Sequence, residues 1–294
     1  KKLIQYQTGK NLGAWRNQLT WVADDGDYNL HLEHAEEIST GLKLKQPTWN
    51  QKKIYLDLFP AINSSAGNTY PLANNLIKQM VNNGTLILNY TGHGNYTRLA
   101  EEAVITQNEI MQWDNAGKLP LMVTASCDFA PFDQPQISPI GFDALVKNQK
   151  GIIGLVAASR LVFAFNNKEI NDEFVQQLLV PDQNDNYKSI GAALQNAKSN
   201  YWKKGSDYTN AFKFNLMGDP ALQLAKPSYG VTIGRINQKV FNGKDTLKAG
   251  GKYQVAGTIK ANGNLLTTFD GLVEFTLFDI PKKQKTLANI SSSI

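Results

Sequence analysis

The sequence predicts an α/β protein with a mostly parallel sheet flanked by helices, followed by a smaller antiparallel β region. Three observations carry this. From Trp15 to about Ala225, short apolar runs alternate with helix-period segments, the pattern of successive βαβ units. Several of those runs, "TLILN" at 85–89 among them, are apolar on both faces, as befits central strands covered by helices on either side. After "KPSYG" (226–230) the texture changes to short alternating strands with turn residues, and no helix-period run follows. With 294 residues and 42 % hydrophobic content the chain can bury a large core, and its length suggests about two domains. We place them at 1–228 and 229–294.

The expected strands of the first domain are 19–23, 54–59, 85–89, 121–125 and 152–157, and the expected helices 31–41, 72–82, 107–115, 141–147, 168–179 and 189–202. In the last helix Ile190, Ala193, Leu194 and Ala197 fall at i, i+3, i+4 and i+7, so one apolar face can cover the sheet. "MGDPAL" (217–222) reads as a turn ahead of a short strand. In the second region Asn262-Gly263 signals a hairpin. About three to five strands fit there, fewer than the roughly seven of a complete sandwich.

Composition excludes several classes. The net charge is +5, but Lys and Arg are scattered and form no basic stripe interleaved with aromatics, so nucleic acid is not an expected partner. No run of 18 apolar residues marks a membrane span, and the first residues, "KKLIQ", carry no signal-peptide core. The missing initiator Met and the ending "ANISSSI" suggest a piece of a longer precursor. A single cysteine, Cys127, rules out an internal disulfide. Abundant Asn, Gln, Thr and Lys suit an exported bacterial protein.

Chemistry concentrates where the central strands end. Loops at the carboxyl ends of parallel strands hold the sites of open α/β sheets. The run 85–89 leads to "YTGHG", which places His93 in such a loop between two glycines that permit a sharp turn and close approach. The run 121–125 leads to Ser126-Cys127-Asp128. Cys127 follows His93 by 34 positions (127 − 93), enough for one loop, one helix and one strand. A right-handed crossover then brings both carboxyl ends to one edge, about 4.8 Å apart as neighbours. Cys127 and His93 are thus expected to meet, as the thiol and imidazole of a nucleophilic dyad acting on an acyl carbon. Backbone N–H groups of Gly94 and Cys127 are the expected oxyanion donors. A third group should orient the imidazole. "WVADDGD" offers Asp24, Asp25 and Asp27 at another strand end, and Asp25 is preferred because the glycine after it marks the sharper turn.

Each of these residues also has a plainer reading. A lone cysteine after an apolar strand is usually a small core residue, and a histidine in a glycine-rich loop is usually solvated. Asp25, Asp27, Asn29 and Glu36 echo the ligand positions of a calcium loop, but Leu30 stands where that loop needs glycine. His31 and His34 could share a zinc ion, yet no third ligand is evident, and they read as solvated or capping residues. Ala158-Ser159-Arg160 could line a cleft or simply leave a strand. The sequons at Asn89 and Asn95 flank the expected site and are not expected to be glycosylated in a bacterial protein. No cofactor and no resident metal is expected.

"WRNQLTWVADDGD", "LNYTGHG", "PLMVTASCDF" and "FNLMGDPAL", in this order, resemble the gingipain-like cysteine peptidases of peptidase family C25, and within them the PorU-type sortases of the type IX secretion system. The resemblance covers about 13–227 and continues into the following β region. It implies a caspase-like fold followed by an immunoglobulin-like module, here truncated, with His93 matching the family's catalytic histidine, Cys127 its nucleophile, and the acidic member falling at Asp24 or Asp25. It further implies cleavage of the C-terminal signal domain from secreted cargo at the outer cell surface, transfer to water or an amine, and other secretion components and anionic lipopolysaccharide as partners. Ser126-Cys127-Asp128-Phe129 gives no sign of a pocket for Arg or Lys. A gingipain-like endopeptidase that only hydrolyses, and a catalytically silent scaffold, are the alternatives.

Overall fold

A computed structural model describes the chain apart from residues 10–11, 66, 206, 244, 262, 276, 278–281 and 288–294 and the side chain of Tyr208. By its contacts the chain divides into one unit of Lys1–Ala225 together with the segment from Lys283, and another of Lys226–Lys282.

The first unit is built on six strands: β1 (Gln18–Ala23), β2 (Asn50–Tyr55), β3 (Ile87–Thr91), β4 (Leu121–Ala125), β5 (Gly154–Ala158) and β6 (Phe214–Met217), in the order β6-β5-β4-β3-β1-β2. All neighbours run parallel except β6, which pairs antiparallel with β5. Every residue of β3, β4 and β5 is buried. Helices α1 (Leu30–Lys45), α3 (Ala164–Leu179) and α4 (Ile190–Lys203) cover one face, where Leu32, Ile38, Phe174, Leu178 and Ala193 pack on Trp21, Ile87 and Val123. Helix α2 (Pro71–Asn83) and the short helices Gln107–Met111 and Ile140–Val146 cover the other, on Val22, Leu88, Met122 and Leu155. Adjacent residues of one strand serve opposite cores, which is why these runs are apolar throughout.

The expected helix over 189–202 matches α4, with Ile190, Ala193, Leu194 and Ala197 all buried. Two strands differ from expectation. β2 begins at Asn50 and ends at Tyr55, and residues 56–58 of the expected strand 54–59 form a single 3-10 turn instead. Its polar "NQKK" half is tolerated because β2 is an edge strand with alternating exposure. At the other edge β6 precedes the turn of "MGDPAL" rather than following it; only Phe214 in it is buried, so it carries little hydrophobic signal.

The second unit is a four-stranded antiparallel sheet of β7 (Tyr229–Ile236), β8 (Lys239–Val240), β9 (Val255–Ala261) and β10 (Asn264–Leu265), in the order β8-β7-β9-β10. Ala261 pairs with Asn264 across the expected Asn262-Gly263 hairpin, of which Asn262 lies outside the described residues, as does the terminal "ANISSSI". Residues 283–287 belong to the first unit, where the Leu287 N–H donates to the Asp57 carbonyl at 2.8 Å. Among the described residues no helix is long and apolar enough to cross a membrane.

One polar pair ties sheet to helix. Asn89 on β3 and Asn171 on α3, both buried, exchange amide hydrogen bonds of 2.8 and 2.9 Å. The Asn89 amide is therefore engaged inside the fold. Asn171→Ala leaves Asn89 buried without a partner and is expected to cost about 1–3 kcal/mol in urea unfolding, whereas Asn89→Val combined with Asn171→Leu recovers most of that loss.

Candidate active site

The register aligns three strand ends. Ala23 of β1 pairs with Thr91 of β3, and Thr91 with Ala125 of β4, so the loops beginning at Asp24, Gly92 and Ser126 leave one sheet edge side by side. They are bonded to one another from their first residues. The Asp24 N–H donates to the Thr91 carbonyl at 3.1 Å, and the Gly92 N–H to the Ala125 carbonyl at 3.3 Å.

His93 is held by its backbone. Buried Asp24 accepts the His93 N–H through Oδ2 at 2.9 Å and the Gly26 N–H through Oδ1 at 3.3 Å. The His93 carbonyl accepts from the Tyr90 hydroxyl at 2.6 Å and the Ala100 N–H at 3.0 Å. Two glycines make the approach possible. A Cβ on Gly92 would lie 2.3 Å from Asp24 Cβ, and one on Gly26 would lie 2.8 Å from His93 Cδ2. Both distances are too short for any side chain.

The carboxylate that reaches the imidazole is Asp27. Its Oδ2 lies 3.3 Å from His93 Nε2, and both side chains are about half exposed. The loop achieves this with three successive left-handed residues, Asp27 (φ 54°), Tyr28 (φ 56°) and Asn29 (φ 68°). Asp and Asn accept this conformation readily; Tyr28 does not, and such backbone costs on the order of 1–3 kcal/mol per strained residue. The same Asp27 Oδ2 lies 3.3 Å from Nε2 of His31, whose ring meets that of His93 edge-to-face at 4.9 Å. Burial, then the neighbouring His93, push the His31 imidazole down to about 4.

The sequence favours Asp25 as the orienting acid. The structure turns it elsewhere, accepting the Tyr70 hydroxyl through Oδ2 at 2.6 Å, and burial followed by the charge of Asp24 raises its pKa. Asp24, Asp25 and Glu102 offer carboxylate oxygens within 4.8 Å of one another. Burial, with the charges of Asp25 and Asp24, raises Glu102 to about 7. His31 and His34, read from sequence as solvated or capping, are both only 5 % exposed, and His34 stacks edge-on against Phe165. The calcium-loop pattern disperses: Asn29 donates to Asp57, and Glu36 pairs with Lys53 and Tyr55.

Cys127 stands two residues past the end of β4, with Ser126 buried before it. A Cβ on Gly94 would lie 3.3 Å from Ser126 Cβ, so the histidine and cysteine loops are in contact. The Cys127 thiol donates to the Val162 carbonyl at 3.4 Å and packs against the small cluster of Ala158, Ile170, Tyr201 and Phe214. Ala158-Ser159-Arg160 supports this loop: Arg160 accepts the Asp128 N–H through its carbonyl and pairs with Asp133 through its guanidinium.

The α/β sheet has the caspase-like order, with a histidine loop and a cysteine loop side by side at its carboxyl edge. The model of peptidase family C25 matches residues 1–225, and the chain belongs to that family. Its fold is similar to the crystal structure of the Arg-specific cysteine proteinase gingipain R (RgpB), with 18 % identity and a TM-score of 0.58, covering 79 % of this chain and 54 % of that one. It is also similar to the complex of Porphyromonas gingivalis RgpB pro- and mature domains (18 %, TM-score 0.59, 90 % and 62 %) and to a structure described as a protease (14 %, TM-score 0.61, 90 % and 61 %). The chain thus spans between about half and two thirds of the length of these structures. A comparison with curated proteins finds no match.

The acidic cluster sets a pH dependence. The folded chain keeps the Glu102 proton up to about 7, whereas an unperturbed carboxyl releases it near 4.5. Stability from neutral Glu102 is therefore complete below pH 4.5 and is lost as the pH rises through 7. Glu102→Gln is expected to raise stability by ~1 kcal/mol well above pH 7, a figure reduced for solvent screening, and to change nothing below 4.5. Thermal unfolding across that range checks it.

Proposed function

We propose that the chain acts as a cysteine peptidase through a Cys127–His93 dyad, with Asp27 orienting the imidazole. The observation that carries this reading is the contact between the two loops at adjacent, in-register strand ends. In the working cycle the thiol leaves Val162 and turns to His93, which takes its proton. The thiolate attacks the carbonyl carbon of the scissile bond, and the N–H groups of Gly94 and Cys127 receive the oxyanion. His93 then protonates the departing amine, leaving a thioester on Cys127. Water or a second amine resolves it.

The finer reading is a sortase of the PorU type. It removes the C-terminal signal domain of secreted cargo at the bacterial cell surface and passes the acyl group to an amine of an anionic lipopolysaccharide, alongside other type IX secretion components. Its support is the four sequence motifs, in order and spacing. The surroundings of the thiol argue against the Arg preference named for gingipain R. Leu161 and Phe163, on either side of the Val162 whose carbonyl takes the thiol, are each about two thirds exposed, and Lys213 Nζ sits 5.8 Å over the Phe163 ring, where it repels a basic side chain. Apolar residues beside the scissile bond suit this surface better.

Intact mass after incubation with a thiol-directed peptidyl electrophile tests the dyad. Single labelling at Cys127 is expected, slowed about 10²–10⁴-fold by His93→Ala. Labelling at equal rates in both chains sinks the catalytic reading. Asp27→Asn is expected to slow labelling about tenfold or more, and Asp25→Asn by less, since Asp25 faces Tyr70. A cleaved peptide that gains an added amine identifies transfer; hydrolysed product alone leaves the endopeptidase.

A further inference from the structure

We infer that His31, His93 and Asp27, with Asp24 behind them, form a binding site for a zinc-like divalent cation that withholds His93 from catalysis; the inhibitory part rests on the reading of His93 as the base. Three observations converge. First, the donors are gathered: Asp24, His31 and His93 each offer a ligand atom within 4.8 Å of the others. Asp27 Oδ2 lies 3.3 Å from Nε2 of both imidazoles. Second, the spacing from Asp27 to each imidazole matches an edge of a tetrahedron. Donors bound at ~2.0–2.1 Å around a tetrahedral zinc stand about 3.3 Å apart. Third, His31 is 5 % exposed, yet its Asp27 contact lies off the line of a hydrogen bond, so neither ring nitrogen has a hydrogen-bond partner among the described residues. Burying unsatisfied polar atoms is costly, and a cation between the rings would engage this one.

The donor set selects the ion. Two imidazoles with carboxylate suit zinc and its neighbours in the transition series, whereas calcium and magnesium take oxygen alone. Asp24 enters as a buried carboxylate already fixed by the Gly26 and His93 N–H groups, and Asp27 as the half-exposed one facing solvent, through which the ion enters and leaves. Coordination through Nε2 ties the His93 ring in the orientation it has here, takes Asp27 away as the acid that supports the ring, and sets a positive charge against a proton arriving at Nδ1. The site involves no sulfur. That separates it from the general attack of zinc on a Cys–His pair.

The test uses the 294-residue chain with zinc added as the ion itself, titrated against a chromophoric chelator. Cys127→Ala, which lacks the thiol, is expected to bind one zinc with native affinity. His31→Gln and Asp27→Asn are each expected to weaken binding at least as far as a lost outer-shell partner does, about 10–100-fold. Asp27 is exposed enough that its variant folds, so the result does not depend on the buried His31 alone. Cobalt in place of zinc should give the visible spectrum of a tetrahedral nitrogen and oxygen site without thiolate bands. Loss of binding in Cys127→Ala, or unchanged affinity in both Asp27→Asn and His31→Gln, overturns the site. In the native chain zinc should also suppress electrophile labelling of Cys127, and chelator restore it. Binding with no effect on labelling overturns the inhibitory role. Labelling of the metal-free chain that ignores His93→Ala instead defeats the peptidase reading, while zinc binding by Cys127→Ala stands by itself.

Discussion

The carboxylate of Asp24 is the constraint on which the site depends. It is nearly inaccessible to solvent, and it accepts the backbone N–H of His93 on one oxygen and of Gly26 on the other. A charged acceptor makes such bonds about twice as strong as neutral ones, and inside a protein they are not screened. One side chain therefore fastens the loop after β1 to the loop after β3. Tyr90 and Ala100 hold the His93 carbonyl from the other side. The imidazole then varies only by its own side-chain rotation. The parallel register supplies the rest, since Ala23, Thr91 and Ala125 stand level and no loop has far to travel.

That economy of reach carries a local cost. To return Asp27 to the imidazole within three residues of Asp24, the chain adopts left-handed backbone at Asp27, Tyr28 and Asn29 before α1 begins. Asn29 is then anchored by its bond to buried Asp57, which fixes the end of the turn. Strain of this kind persists only where surrounding contacts over-determine it. Here they do: the Asp24 bonds hold one end, Asp57 the other, and His93 packs so near Gly26 that a Cβ there would meet its ring.

Much of this is legible in the sequence, and the rest is hidden for definite reasons. The wholly apolar runs mark β3, β4 and β5 because helices cover both their faces. The polar edge strand β2 and the short β6 have no such cover and leave little trace. His93 and Cys127 emerge from strand ends and spacing, information that a parallel sheet stores in order. The choice among Asp24, Asp25 and Asp27 is not stored that way. Periodicity ends with the strand, and beyond it the path of the chain depends on left-handed turns that Tyr28, unlike a glycine, does not announce. His31 does carry a signal: with Ala35, Ile38 and Leu42 it lies on the stripe of α1 that faces the core, so its ring had to be buried.

Three acids within four residues would repel one another if they faced the same way, and the site is stable because each is compensated by a different means. Asp24 is satisfied by backbone N–H groups. Asp25 takes the Tyr70 hydroxyl and, with Glu102, is pushed by burial toward holding a proton. Asp27 stays half in water. The buried part of the cluster thus sheds charge to structure and protonation, and the exposed part keeps it. The carboxylate that lies against the imidazole of His93 is the one farthest from the strand that introduced all three. That is why the acid nearest in the sequence to the strand end serves as the clamp and not as the partner of the ring.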